Sequence, residues 1–377
     1  MFRRVYAKHR AANYAGRKYR AGGSKKAREI CGGICLLLGT AFLYGNELPL
    51  FRLPQEGYTA VAKLAMKENR QVTEGEVLQV LYADASGSFL RVSHADGAIP
   101  DYVPPVEEVS SVSVKAILED RFGALEEVTF QSFLSNYYIE DVSTKATADV
   151  FQITELAEYE PAIEQKEEPQ ILIFHTHGSE GYLDSRPGVA EDTVIGAGTV
   201  LAKELRETYG YNVIHETTVF DRKADGTDDR NNAYNNALPV ITKILEKYPT
   251  IEVVIDLHRD SGEARTSVIN GVSTAKVMLF NGLCRTKDGP ISYYSNPNLQ
   301  GNLAFSLHLQ ITGNELYPGL MHRIYLKSYR YNMHLLEKYS LVELGTHKNT
   351  VAEAKAAMIP FARTIATVLS GEDQSRD

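Results

Sequence analysis

Two common hydrolase signatures are missing from this chain of 377 residues. There is no G-x-S-x-G, so a serine nucleophile on a strand-to-helix elbow is not indicated, and no Walker pattern that would cradle a nucleotide's phosphates. Cysteine is scarce: of the three, Cys31 and Cys35 fall in an apolar N-terminal segment and Cys284 stands alone, which excludes a disulfide framework and leaves Cys284 an ordinary thiol. No internal repeat is visible. Basic charge is also scarce once the start of the chain is passed. Ten of the 40 Lys and Arg lie in the first 28 residues, without an acid among them, so the remainder carries 30 basic against 48 acidic side chains, a formal −18. That balance argues against a nucleic-acid partner.

What is present begins with a basic tail (1–28), expected to be disordered and cytoplasmic. An uncharged run, ICGGICLLLGTAFLY (30–44), follows. As a helix it would rise only about 22 Å against a hydrocarbon core of about 30 Å. Arg28 can snorkel at one end, and Leu48, Leu50 and Phe51 can extend the apolar length at the other. With Gly39-Thr40-Ala41 a poor cleavage site, the run reads as one uncleaved transmembrane helix over 29–46 rather than as a signal peptide. Positive charge before it puts the N-terminus inside and the rest of the chain outside the membrane.

Residues 47–130 read as a stalk or small membrane-proximal module, with short apolar patches at 77–82 and 89–92 that suggest strands or short helices. An acidic stretch, ELAEYEPAIEQKEEP (155–169), reads as a solvated linker or exposed helix. Beyond it, apolar strands alternate with helical patterns, which predicts an α/β domain over 131–371 with a mostly parallel sheet and flanking helices, and a short tail at 372–377. The expected helices are 194–209, capped at Asp192 or Thr193 and stopped by Gly210; 231–248, started or kinked by Pro239; one opened by Asn296-Pro297, with Leu299, Leu303, Leu307 and Ile311 as one buried stripe; and a last one from the capping box Thr350-x-x-Glu353, kinked or broken at Pro360. Gly196 and Gly198 are a loose pair inside the first of these.

The chemistry gathers where three apolar strands stop. ILIFHTHGSEGYL (171–183) runs into two histidines and a glutamate; IEVVIDL (251–257) runs into His258-Arg259-Asp260; SLVEL (340–344) carries Glu343. Zinc takes a few imidazole and carboxylate ligands and, in a catalytic site, keeps one position open. His177 and Glu180 supply H-x-x-E from one tight turn, and His258 is the natural third ligand. His175 would share a strand face with His177 and is the alternative to it. Its other readings are support of the ligands or substrate contact. Glu343, flanked by Leu341, Val342 and Leu344, is a costly side chain to bury in a purely structural role and is the candidate general base. Arg259 could stabilise an oxyanion or hold a substrate carboxylate. Asp256 or Asp260 could orient a ligand histidine. Arg230 and His334 are candidates for substrate contact, and His347 could line the cleft. His215, His308 and His322 read as surface or packing residues.

Taken together, these segments resemble the stage II sporulation protein P family. The basic tail and anchor, FLSNYY (133–138), ILIFHTHGSEGY (171–182), VIDLHRDS (254–261), YRYNMHL (329–335) and VELGTHKNT (342–350) carry the resemblance, in order. It implies a zinc-dependent N-acetylmuramoyl-L-alanine amidase of the phosphorylase/hydrolase-like α/β fold, also credited with endopeptidase activity on cross-linking peptides. Its histidines map onto the H-T-H element and His258, and its glutamates onto Glu180 and Glu343. The variable positions 178 and 179 touch no predicted ligand. The implied role is thinning of septal peptidoglycan during forespore engulfment, from the mother-cell membrane at the septum, with sporulation proteins D and M as partners. Two rivals stand beside this reading: a zinc carboxypeptidase or deacylase, and a catalytically idle wall-binding scaffold.

Overall fold

A computed structural model describes residues 112–371 and, as backbone, the paired strands β1 (Val80–Ala83) and β2 (Phe89–Val92). These two form an antiparallel hairpin where the sequence suggested strands or short helices. The expected tail (1–28), anchor (29–46) and terminus (372–377) lie outside the described residues. Among the described residues no helix is long and apolar enough to cross a membrane.

Three helices open the packed body. α1 (Val114–Phe122) and α2 (Phe130–Tyr137) start at Ser113 and Thr129, whose hydroxyls accept from Ala116 N and Ser132 N, the usual way of satisfying orphan donors at a helix start. β3 (Tyr138–Glu140) follows, then the short α3 (Ile153–Ala157). Val114, Leu118 and Leu125 belong to the same buried cluster as Phe133 and Leu156, so the core reaches back beyond residue 131.

The chain then alternates: β4 (Ile171–Phe174), α4 (Val194–Glu207), β5 (Val213–His215), α5 (Ala233–Lys247) and β6 (Val253–Asp260). A hairpin, β7 (Thr266–Ile269) and β8 (Val272–Ala275), leads into β9 (Val277–Gly282) and the small ladder β10 (Arg285–Thr286) and β11 (Gly289–Pro290). α6 (Leu299–Leu316), β12 (Met321–Lys327), β13 (Lys338–Thr346) and α7 (Val351–Ser370) complete it. Thr193 caps α4, and the box predicted at Thr350 and Glu353 is closed in both directions.

The main sheet has seven strands in the order β3-β12-β9-β13-β6-β4-β5. Every neighbouring pair is parallel except β9 with β13, so the sheet is mixed but mostly parallel, as two parallel blocks of opposite sense. Strand alternation divides its faces. Ile171, Ile173, Ile255, Leu257, Val342 and Leu344 pack with α4, α6 and α7; Leu172, Phe174, Val254 and Tyr339 pack with Ala237 and Ile241 of α5. Each fully buried side chain of this size contributes about 1.5–3 kcal/mol.

Two helices depart from their sequence patterns. α6 is buried on every side over 301–313, and its polar Asn302, Ser306, His308, Gln310 and Thr312 are buried with Leu303, Leu307 and Ile311. The four-residue repeat picked out only one side of a helix enclosed all round. α7 runs unbroken through Pro360, with Thr364 Oγ1 donating to the Pro360 carbonyl. Packing on the core holds that turn although the proline removes one ladder donor.

Candidate active site

The three strand ends predicted to carry chemistry meet at the C-terminal edge of β4, β6 and β13, on the α5 face. β4 stops at Phe174, and residues 176–179 form a turn closed by Glu180 N donating to His177 O (3.0 Å). Asp256 fixes the start of that turn. Its carboxylate, fully buried on the neighbouring β6, accepts from Thr176 N (2.8 Å) and Thr176 Oγ1 (2.7 Å). Glu343 is the register partner of His258 across β13 and β6, so the expected base stands beside the expected ligand.

His258 is 3 % exposed and sits between two carboxylates. Its Nε2 is 2.9 Å from Asp256 Oδ1, close but out of line for a straight hydrogen bond, and its Nδ1 is 3.6 Å from Glu180 Oε2. Burial works against charge on this ring, yet Asp256 and Glu180 outweigh it and hold the pKa well above the usual histidine value. The His177 ring meets His258 edge-on at 5.3 Å. Its Nδ1, 3.8 Å from Asp221 Oδ2, has no hydrogen-bond partner, and burial, followed by the charge on His258, lowers its pKa to about 4.

Glu180 is enclosed by donors. Arg259 N donates to Oε2 (3.0 Å), Arg230 Nη2 donates to Oε1, and Arg259 Nη1 lies 3.7 Å from Oε1. Burial would raise its pKa, but His258 and the two arginines bring it down to about 2. Glu343 is the opposite case. Half-buried as a residue, it has its Oε2 sealed from solvent without a partner. Burial, aided by repulsion from Glu180 and Asp260 and opposed by the charge on His258, pushes its pKa up to about 8. A carboxylate close to charge balance at neutral pH suits a proton carrier.

His175 takes a different place from His177. It follows the end of β4 and is fully buried against α4, with Nδ1 at 2.9 Å from the Leu257 carbonyl and Nε2 at 2.9 Å from His215 Nε2. Burial and the neighbouring His215 lower its pKa to about 3. Both ring nitrogens are thus engaged behind the site. Asp260 turns away too, pairing with Arg265 at 2.7 Å, so of the two candidate orienting aspartates only Asp256 reaches a histidine. His334, on the turn Met333–Leu335, has no contact with this group among the described residues; its carbonyl accepts from Asn298. Arg259 Nε donates to Gly181 O (3.0 Å), which ties the arginine to the H-x-x-E turn.

Two residues that the sequence did not single out complete the site. Asp221, 1 % exposed, accepts from Ser179 N (3.2 Å) and Ser179 Oγ (2.6 Å) and so braces the far side of the turn. Tyr234, at the start of α5, stacks on His258 (6.3 Å, 16°) and meets His177 edge-on (5.6 Å). Asp221 shares a polar loop with Asp225, Asp228 and Asp229, and nothing in the sequence separates it from them.

The donor set of two imidazoles and a carboxylate is the kind zinc takes. The unpartnered His177 Nδ1 and Glu343 Oε2, amid the buried carboxylates of Glu180, Asp221 and Asp256, are what a bound cation would satisfy. As the side chains stand, no three His, Cys, Asp or Glu among the described residues are grouped closely enough to hold an ion. Arg230 and the charged His258 supply the compensating positive charge instead.

The stage II sporulation protein P of Bacillus subtilis (strain 168) is 23 % identical over 202 residues, covering 50 % of this chain and 48 % of that protein, so the chain spans about half the length of the curated relative it matches. Among solved structures, the apo N-acetylmuramyl-L-alanine amidase Ami1 of Mycobacterium abscessus is 15 % identical, over 53 % of this chain and 97 % of that one, with a TM-score of 0.31. The catalytic domain of the amidase CwlV from Bacillus (Paenibacillus) polymyxa var. colistinus gives 14 %, 53 %, 95 % and 0.27. Overlays this loose leave the fold to be read from the strand order itself. The family model described as stage II sporulation protein P matches residues 107–366, which takes in all three strand ends, and the chain belongs to that family.

Proposed function

We propose that this chain is a zinc-dependent N-acetylmuramoyl-L-alanine amidase that cleaves peptidoglycan during sporulation, with accompanying endopeptidase activity on cross-linking peptides. The observation that carries the reading is the pairing of Glu343 with His258 across β13 and β6, with Glu343 Oε2 unpartnered and its pKa raised to about 8. An idle scaffold has no use for a buried carboxylate kept near neutrality, whereas an amide hydrolase needs one.

His177, Glu180 and His258 would hold the metal. Zinc at this position would supply Lewis acidity toward the scissile carbonyl and the attacking water. The chain's own groups do the rest. Asp256 orients His258 from its Nε2 side, leaving Nδ1 facing Glu180. Arg230, the most exposed polar group against Glu180, is placed to meet substrate. Glu343 takes the proton from the attacking water and delivers it to the departing nitrogen as the C–N bond breaks. The products are a lactyl carboxylate on the glycan and a free alanine amine on the peptide.

The membrane anchor at 29–46, the external location at the septum, and association with sporulation proteins D and M belong to this proposal through the sequence pattern and the family. A carboxypeptidase is the second reading, because Arg230, with 46 % of its side chain exposed, could also hold a free carboxylate. Labelling of new amino termini on purified peptidoglycan tests the choice. Alanine amines should appear with the unaltered chain and fall about 10²–10⁴-fold with Glu343→Gln. Release of C-terminal residues alone would select the carboxypeptidase, and undiminished alanine release in the variant would remove Glu343 from the mechanism.

A further inference from the structure

Exposed tyrosines are concentrated at one place on the described surface. Tyr293, Tyr294 and Tyr329 are 75 %, 43 % and 54 % exposed, although large aromatic side chains ordinarily bury most of their area. Tyr293 and Tyr294 lie between β11 and α6, and Tyr329 lies just after β12. The two loops are locked together: Arg330 Nη1 donates to Ser295 O (3.1 Å), and its guanidinium lies 4.6 Å over the Tyr294 ring.

This patch is joined to the catalytic face by rings in contact. Tyr329 meets Tyr331 at 6.3 Å, Tyr331 meets Tyr234 at 5.4 Å, and Tyr234 meets His177 at 5.6 Å. A second path confirms the side of the sheet. Met278 pairs with Glu343, and Phe280, two residues along the strand and therefore on the same face, meets Tyr331 at 4.8 Å. Tyr331 and Asn332 both adopt left-handed backbone, with φ of 48° and 58°, which side chains other than glycine adopt at a cost. Gly282 lets their loop approach β9, since a Cβ there would lie 2.0 Å from the Tyr329 carbonyl.

We propose that Tyr329, Tyr293 and Tyr294 form a platform for the sugar rings of a glycan strand whose stem peptide enters the His177–Glu343 site. This rests on the amidase reading, in which the scissile amide is attached through a lactyl group to a sugar, so sugar rings must lie close beside the site. Tyrosine suits them, with an apolar face for the C–H face of a pyranose and a hydroxyl for its rim. The neighbours Ser292, Ser295, Asn296 and Arg330 are polar, unlike the apolar surround that a protein partner's hydrophobic core contact needs.

The test is binding of the full chain to glycan strands stripped of their peptides, which needs no catalysis. The unaltered chain should bind them, and Tyr293→Ala combined with Tyr329→Ala should weaken binding about tenfold through the loss of two ring contacts. Tyr329→Phe should retain most of it, and Val268→Ser, at an exposed apolar position on β7, should leave it unchanged. On intact peptidoglycan the double variant should raise KM with kcat preserved. Failure of the unaltered chain to bind stripped strands, or equal binding by the double variant, overturns the platform. Failure of the amidase reading shows separately, as absent alanine amines with the unaltered chain.

Discussion

Gly198→Ala perturbs the site from behind, through side chains that touch no substrate. Gly198 lies on the buried side of α4, and a Cβ there would sit 2.6 Å from His175 Cε1, 2.7 Å from His175 Nε2 and 2.8 Å from His215 Nε2. Ordinary contact begins near 3.4 Å, so both rings must withdraw by several tenths of an ångström. His175 has nowhere to go, being fully buried and held to the Leu257 carbonyl, one residue before His258. Overpacking of this kind costs about 1–3 kcal/mol. Loss of the His175–His215 hydrogen bond adds about 0.5–1.5 kcal/mol. Replacing a mid-helix glycine by alanine returns about 1 kcal/mol. The net is a destabilisation of about 0.5–3.5 kcal/mol, read as a lower urea midpoint at unchanged slope. Gly196→Ala should cost more, because its Cβ would meet the backbone carbonyl of Glu191 at 1.9 Å, and a carbonyl cannot rotate aside as a ring can. A midpoint that holds or rises in Gly198→Ala would refute this reasoning, as would a milder effect of Gly196→Ala.

Three further outcomes are expected. Asp256→Asn should weaken zinc binding about 10–100-fold in a competition titration, because it removes the carboxylate beside His258 Nε2; unchanged affinity would mean that Asp256 serves only Thr176. In the metal-free protein Glu343→Gln should gain stability relative to the unaltered chain as pH rises. The folded pKa of about 8 exceeds the ordinary 4.5, so the native state binds more protons than the unfolded one, and stability is lost between these values. Urea midpoints at pH 4.5 and pH 9 measure it, and a variant tracking the parent at both would contradict it. In the Glu343→Gln chain, where the opposing proton uptake at Glu343 is gone, acid should destabilise the fold before its remaining carboxylates titrate. Burial holds the pKa of His175 at about 3 and of His215 at about 4, below the ordinary 6.5, so the unfolded state takes up protons first as pH falls through 6.5 toward these values. His215→Gln should flatten that slope, and a midpoint independent of pH between 7 and 4 would rule the effect out.

Much of the site was legible in the sequence because buried strands leave long apolar runs, and polar residues that interrupt or end such runs need a reason to be there. His177, Glu180, His258 and Glu343 all stood out in this way, and all four meet. Strand polarity leaves no such mark. β9 and β13 are apolar like their parallel neighbours, and nothing in their composition announces that they run in opposite senses. The roles of His175 and His177 were open because strand alternation put them on one face; the strand ends at Phe174, and the turn that follows turns them apart. Asp221 and Tyr234 were not visible because each is distinguished only by what it packs against. The four-residue repeat in α6 marked buried leucines but not the polar residues buried beside them, and the proline in α7 does not break the helix: enclosure by the core overrides a local pattern.

The measurement that bears most directly on the central claim is mass spectrometry of purified peptidoglycan digested by the full chain, with and without a chelator. The reaction proposed for Glu343 and the His177–Glu180–His258 set predicts peptide-free glycan and stem peptides with free alanine amino termini. Both should vanish with chelator and return with added zinc. Peptides trimmed only at their C-termini, or a product pattern indifferent to chelator, would contradict it.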